Sequence, residues 1–501
     1  MAKRTFTEIT DIVSGLDREF EQLRQDARAR YDLYALRRDP YVPEEIAREG
    51  KVRINSPMLI NAAQTIRADM MMNPTEFSVI PLARERDGAI PRKLEALAEN
   101  LERSDAIIWN RLNMGHRLDQ DVILHQLISP FAILILAFST FDMPLQPDWM
   151  DDETYIEYVE YLESQWMPWT VYTPDPLTCS WLEKDGHPTC FARKYKVLVA
   201  DVEHEYTKNP GSTNPDRNLR LDSDGRFMWR SDDYQPYSSI TVGSGFRECD
   251  MLWYDDGEYT YHVALNPGGG TGGEVLWTSP NPIGRPTAFI VPGNITPFRR
   301  VEDRYEPYLW PLMQATAQIN DLRSMRATAA RNLAGPHTYI PIDPEMVKIY
   351  QARGEKLPTS VRWRKNETHY LRGKVEQMPS ELSPDWDKLE QAIVEERERF
   401  LPSQFVNIVD PAVIKAATAT SILHAAEAGL RLYGPLMGAY DSVKQEILEA
   451  CHQSVRTYYP DLELYLHATG DELSRGRSLP EGSVYRLNAK AVSFPYRLTV
   501  K

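Results

Sequence analysis

Apolar side chains at Phe6, Ile9, Val13, Leu16, Phe20, Leu23 and Ala27 recur at alternating three- and four-residue steps, the period of one face of an α-helix. This predicts a long amphipathic helix up to about Arg38, packed on a neighbour within the subunit or in another copy. A helical pattern returns from Leu94 through Leu112 to Leu127. Phe131–Phe138, by contrast, is an unbroken apolar run and predicts a buried strand. The middle third, 142–297, is rich in Pro, Gly, Tyr and Trp, and short β-like runs such as Lys196–Ala200 and Tyr259–Val263 sit between turn clusters. Asn266–Gly273 reads as a loop or hairpin tip.

Leu309, Leu312, Ile319, Leu322 and Leu333 then set out a long helix with Gln318-Ile319-Asn320-Asp321-Leu322 at its middle. Ala334-Gly335-Pro336 ends it, since Gly suits a left-handed cap and Pro cannot continue the helix. A mixed segment runs from Pro336 to Leu382. Ser383-Pro384-Asp385 provides a cap, a first-turn proline and an acid at the positive end of the next helix. There Trp386, Leu389, Ile393 and Phe400 form an apolar stripe, and Glu390, Glu395, Glu396, Arg397, Glu398 and Arg399 cover the rest. An apolar loop bounded by Pro402 and Pro411 follows. After it, Ile422, Ala426, Leu430, Tyr433, Met437, Tyr440, Val443 and Ile447 recur at helical steps, with Gly434-Pro435 predicting a kink or a change of packing partner. The tail from Ser483 to Val500 alternates weakly and predicts a strand. The expected fold class is α+β.

Composition narrows the functional classes. A chain of 501 residues can bury a large core in more than one domain. A formal net charge of −15 disfavours tight nonspecific DNA binding, which needs a basic surface to displace phosphate counterions. It is compatible with a conduit, because carboxylates repel the phosphate backbone and let a duplex slide. Solubility alone also accounts for an acidic surface. Cys179, Cys190, Cys249 and Cys451 stand in no CxxC pair and no metal-ligand spacing, so reduced thiols are expected. The start, Met-Ala-Lys-Arg followed by an amphipathic pattern, does not read as a secretory signal. The longest apolar run falls short of the ~20 residues of a membrane span, so a soluble protein without a membrane partner is expected.

No catalytic, cofactor-binding or metal-ligating residues are assigned. Gly268–Gly273 is followed by Glu274-Val275-Leu276 and not by Gly-Lys-Ser/Thr, so it lacks the lysine and helix N-terminus of a P-loop. The acids Asp148, Asp151, Asp152, Glu153, Glu157, Glu160 and Glu163 could pair for hydrolysis. Yet Glu153, Glu157 and Glu160 alternate with Ile156, Val159 and Leu162, the pattern of a solvated helix face. The ten histidines include no His-Glu-x-x-His, and no nucleophile elbow is present.

Charged helix, Pro-bounded apolar loop and small-residue helix, in that order, resemble the channel-lining part of bacteriophage portal proteins. The Ala-Thr-Ala-Thr-x-Ile entry (Ala417–Ile422), Glu427 and Gly434-Pro435-Leu436 look most like those of short-tailed phages. The helix with Asn320 near its centre is similar to a descending stem helix. Arg53-Ile54-Asn55-Ser56-Pro57 and Asn73-Pro74-Thr75-Glu76-Phe77 look like wing sequence. Where many portals carry Tyr-Gly before the stem, this chain has Tyr305-Glu306-Pro307.

The resemblance implies a wing (1–304), a descending stem helix (305–334), a clip (335–382), an ascending stem helix (383–401), a tunnel loop (402–416) and a tunnel helix with crown (417–501). It implies a ring, a dodecamer by family pattern, at one capsid vertex of the virion, assembled in the host cytoplasm. That ring would package, retain and eject double-stranded DNA without reading its sequence. Phe405, Val406, Ile408, Val409 and Lys415 would line the tunnel, and Glu390, Glu395 and Glu398 would face the channel. Leu322, Trp386, Leu389 and Ile393 would meet neighbouring subunits. Arg362, Arg364 and Lys365 would dock the terminase large subunit or a neck or tail adaptor. Major capsid and scaffolding proteins would be further partners. ATP hydrolysis would belong to the terminase, so the chain is not expected to be an enzyme. Two other readings stand beside this one: another head–tail adaptor, and a carboxylate-based hydrolase of the aromatic-rich middle region.

Overall fold

The computed structural model describes residues 3–36, 54–71, 75–82, 90–138, 146–147, 149–184, 186–198, 248–265, 273–298, 300–334, 338–341, 344–354, 368–371, 388, 391–393, 395, 419–457, 464–467 and 484–500. They are mixed helix and sheet. In chain order the elements begin α1 (Phe6–Tyr34), α2 (Met58–Met71), β1 (Phe77–Pro81), α3 (Arg92–Leu112), α4 (Arg117–Ile128) and β2 (Phe131–Phe138). Next come α5 (Asp152–Gln165), β3 (Trp169–Tyr172), β4 (Cys179–Lys184), β5 (His187–Leu198), β6 (Glu248–Asp255), β7 (Tyr259–Leu265), β8 (Gly273–Pro280) and β9 (Ala288–Pro292). The short pair β10 (Asn294–Ile295) and β11 (Tyr305–Glu306) precedes α6 (Trp310–Ala334), β12 (Thr338–Pro341), α7 (Pro344–Ala352) and β13 (Thr368–Leu371). The chain ends with α8 (Ala419–Thr457), β14 (Leu464–His467), β15 (Val484–Leu487) and β16 (Tyr496–Val500).

Two compact units do not follow chain order. One joins Met1–Arg28, Ala63–Tyr308 and Glu427–Lys501; the other joins Ala29–Ala62 and Leu309–Ala426. In the first, an antiparallel five-stranded sheet runs β4-β5-β6-β7-β8 and a second sheet runs β3-β2-β9. β1 pairs with β16 and β14 with β15, both antiparallel.

The side-chain period of two explains how the first unit is layered. Cys190 and Ala192 of β5, Leu252 and Tyr254 of β6, and Tyr261 and Val263 of β7 pack on Ile9, Val13 and Leu16 of α1. The intervening Phe191 and Trp253 instead join Trp181, Phe20, Leu23, Phe131, Ile133 and Ile135. Trp181 meets Phe20 and Phe131 edge-on at 4.6 and 4.7 Å, contacts worth about 0.5–1.5 kcal/mol each beyond burial. Strand β2 is apolar without alternation because both its faces are buried. Its other residues, Ala132, Leu134 and Leu136, enter a core with Leu101, Ile108 and Trp109 of α3 and Tyr440, Val443 and Ile447 of α8. The amphipathic N-terminal helix and the buried strand thus form as their patterns predict.

Two expectations need correction. The helical pattern from Leu94 to Leu127 is two helices, broken where Gly115 and His116 take φ values of 67° and 56°. Asn113 recaps the chain there: its Oδ1 accepts the Leu118 and Asp119 N–H groups at 3.1 and 3.3 Å. At Gly434-Pro435, where a kink or a change of packing partner is expected, α8 continues with Pro435 inside. Both residues are exposed, so the proline forfeits one backbone bond without colliding with a packed neighbour. The tail forms two strands, β15 and β16, separated by a turn that the Asn488 side chain closes onto the Ala491 N–H at 3.0 Å.

A buried carboxylate holds the β6–β7 turn. Asp255 Oδ1 accepts the Gly257 N–H at 2.8 Å, and Oδ2 accepts the Thr287 N–H and hydroxyl, each at 2.9 Å. Asn281 Nδ2 donates to both oxygens. Gly257 has φ +83° and lies against Arg285 and Pro286, so a side chain there would be strained and crowded. Burial raises the Asp255 carboxyl from its ordinary 3.8 to about 6. Burial lowers His262, edge-on to Trp277 at 4.7 Å, from 6.5 to about 4.

The two groups oppose each other on acidification. Between about pH 6 and 4 Asp255 takes a proton only in the folded state, which adds stability. Between about pH 6.5 and 4 His262 takes one only in the unfolded chain, which removes it. His262→Phe should therefore leave the Asp255 contribution unopposed. The variant-minus-wild-type difference in urea unfolding free energy should move by about 2 kcal/mol in the variant's favour from pH 7 to pH 4.5. A constant difference would contradict this assignment.

Candidate functional site

The stem-like helix α6 carries the most informative contacts in the second unit. Its apolar positions Leu312, Met313 and Ile319 are buried, and so are Thr316 and Asn320. Asn320 Oδ1 accepts the Ser56 N–H at 2.7 Å, and one turn later Ser324 Oγ accepts the Ile54 N–H at 2.9 Å. Residues four apart lie on one helix face, so the pair forms a short polar ladder for the backbone ahead of α2. Asn55 Nδ2 donates to the Leu36 carbonyl at 3.0 Å. The Arg30 guanidinium lies 4.8 Å from the Trp310 ring centre. Asn320 is thus a backbone acceptor in an apolar setting, which explains a polar residue at mid-helix.

Replacing Asn320 with leucine should strand the buried Ser56 N–H at a cost of about 1–3 kcal/mol. Hydrogen exchange at the Ile54 and Ser56 amides should speed up accordingly. Asn320→Asp, which keeps an acceptor, should retain most of the protection. Unchanged exchange in the leucine variant would show that the contact is dispensable.

The second half of α6 is different. From Asp321 to Thr328 no side chain is buried; Leu322 is half-buried and Met325 is 49% exposed. In the region after it, β12 pairs in parallel with β13, with α7 between them. Arg362, Arg364 and Lys365 lie outside the described residues. Of the charged helix, Lys388, Gln391–Ile393 and Glu395 are described and helical. Ile393 is half-buried, Glu395 is exposed, and Gln391 Nε2 donates to Glu395 Oε1 at 3.5 Å. Glu390, Glu398, Trp386 and Leu389 lie outside the described residues, as do Phe405, Val406, Ile408, Val409 and Lys415. Of the expected channel, docking and interface residues, Leu322, Ile393 and Glu395 are the ones within the described residues.

Helix α8 buries Tyr433, Tyr440, Val443 and Ile447 as its spacing predicts, whereas Leu436 is buried in place of the expected Met437, which is half-buried. Polar side chains that the spacing did not single out fasten it in the first unit. Gln126 Nε2 donates to the Pro292 and Leu436 carbonyls at 2.9 and 3.3 Å. The Tyr440 hydroxyl donates to Asp119 Oδ1 at 2.8 Å, and burial raises its pKa. Buried Lys444 donates to Thr75 Oγ1 at 2.9 Å and lies 4.2 Å from the Tyr440 ring centre. His452 Nε2 lies 2.6 Å from Asp105 Oδ1 and its Nδ1 2.6 Å from the Tyr496 hydroxyl. Trp169 Nε1 donates to Ser454 Oγ at 2.9 Å.

The Asp105–His452–Tyr496 chain resembles an acid–base relay in outline. Asp105 and His452 are buried, however, and the relay's distal member is a tyrosine on the C-terminal strand. Its evident role is to tie β16 to α3 and α8. Burial pushes the Cys179 thiol up to about 12 and raises Cys190 and Cys451, so none of these is poised as a thiolate. Among the described residues, no group of three or more His, Cys, Asp or Glu side chains is placed to hold a metal ion. Also among the described residues, no helix is long and apolar enough to cross a membrane. A signal existed in the sequence for one fastening: Gln126 sits among Val122, Ile123, Leu127 and Ile128, whereas Lys444 lies in the polar run Asp441-Ser442-Val443-Lys444-Gln445-Glu446. No protein-family model matches the chain, and no curated protein matches it.

Proposed function

We propose that this chain is the portal subunit of a tailed bacteriophage, a structural protein that forms a ring-shaped DNA channel at one capsid vertex. The carrying observation joins two distant pieces of the sequence resemblance. Asn320, at the middle of the stem-like helix, accepts the Ser56 N–H of the wing-like segment, and Ser324 one turn on accepts the Ile54 N–H. The order of charged helix, Pro-bounded apolar loop and small-residue helix supports the same reading. So does the accessible second half of α6: half-buried Leu322 and exposed Met325 are apolar positions that a neighbouring stem would cover.

In this reading the finer architecture is wing, stem, clip and crown, repeated about a ring axis in twelve copies. Function follows from geometry. The acids Glu390, Glu395 and Glu398 repel passing phosphates, and the loop from Pro402 to Lys415 narrows the channel. The basic Arg362, Arg364 and Lys365 dock the terminase large subunit during packaging and a neck or tail adaptor afterwards. Capsid and scaffolding proteins hold the outer wing. The chain itself performs no catalysis and needs no cofactor. Sizing of the purified protein tests the proposal: a discrete particle near twelve subunit masses is expected, and a monomer at all concentrations and salt levels would contradict it.

A further inference from the structure

Large apolar side chains are exposed together just ahead of and along α5. Trp149 is 78% exposed, Ile156 56%, Tyr158 41% and Tyr161 62%. Among the described side chains of that helix only Val159 is buried. The sequence pattern anticipated solvated Glu153, Glu157 and Glu160, and they are exposed; it did not anticipate an exposed Ile156. On a helix turning about 100° per residue, the three glutamates form one strip, flanked by Ile156 on one side and by Tyr161, then Tyr158, on the other.

This face has no counter-charge of its own. Glu153, Glu157 and Glu160 make no ion pair among the described residues, and no lysine or arginine occurs between Arg117 and Lys184. At the head of the helix the Thr154 hydroxyl and its N–H, the latter at 2.8 Å from Asp151 Oδ1, lower that carboxyl's pKa and keep it charged. Exposed aromatic groups among unpaired carboxylates favour one chemistry of partner. Apolar groups can cover the rings, and cations can meet both the carboxylates and the ring faces.

We propose that the outward face of α5, with Trp149 at its N-terminal end, docks a basic amphipathic peptide segment of another protein. The inference does not depend on the ring reading. It is tested on the full chain with a labelled helical peptide of alternating lysine and leucine faces, read by fluorescence anisotropy at low and raised salt. Two comparison peptides replace its lysines with glutamate or its leucines with serine.

The lysine–leucine peptide should bind best, and raised salt should weaken it. Glu153→Gln/Glu157→Gln/Glu160→Gln and Trp149→Ser/Tyr158→Ser should each weaken binding about tenfold. All five positions are exposed, and circular dichroism should show both variants folded. Wild-type affinity in both variants would place the peptide elsewhere and overturn the proposal. Equal binding of the serine peptide would reduce it to bulk charge and overturn it too. Self-association of the wild type that Trp149→Ser/Tyr158→Ser abolishes would instead assign the face to a second copy of the chain, a third overturning result.

Discussion

Leu389→Asp should abolish ring assembly and leave soluble monomers or irregular oligomers. A ring of identical subunits uses heterologous contacts, in which one face of each subunit meets a different face of the next. The stripe Trp386, Leu389 and Ile393 is proposed for one side of that contact, and the half-buried Leu322 on α6 for the other. A carboxylate placed unpaired in such a contact costs about 3–5 kcal/mol, and the cost recurs at every interface around the ring. Leu322→Asp should act in the same direction. Leu322→Asp should keep the wild-type circular dichroism spectrum, because Leu322 is only half-buried. Intact rings by sizing in both variants would remove these residues from the interface.

Shortening the loop between Gln404 and Pro411 should leave ring assembly intact and sharply reduce the packaged genome. In the proposed ring, Phe405, Val406, Ile408 and Val409 would offer a steric, apolar constriction. Lys415, the one cation from Pro402 to Lys415, would touch the DNA backbone lightly. Such a contact grips no particular sequence and releases easily, which suits passage followed by retention. The measurement is the DNA content of particles assembled with the shortened chain. Full heads that hold their DNA as wild type would rule out a constriction, and a chain that no longer folds would mean that the loop is core.

The sequence was most legible where one periodicity persisted. The three–four spacing from Phe6 to Ala27 predicted α1 because each of those positions faces one surface, and most are buried there. Phe131–Phe138 was legible as a buried strand because length and apolarity agreed. The break after Leu112 was missed because it rests on two left-handed residues and on the Asn113 side chain, none of which disturbs the apolar spacing. Pro435 signals a kink or a change of partner, but spacing does not tell whether the helix continues, and α8 runs on through the exposed proline.

The polar fastenings were least legible. Asp105 and His452 are 347 positions apart, and Asp255 meets its partners across a turn and a loop. Local pattern carries no information about such pairs. For the proposed portal reading the sequence carries order and composition, and it did not foretell the ladder by which Asn320 and Ser324 hold Ser56 and Ile54. That ladder gives a physical reason for two of the resemblance's pieces to occur in one chain.

The most direct test of the central claim is an electron micrograph of the purified protein. The account predicts uniform rings with an axial hole and one subunit per repeat, and class averages should show a dominant rotational symmetry. Compact particles without a hole, at concentrations where the protein is folded and homogeneous, would contradict it.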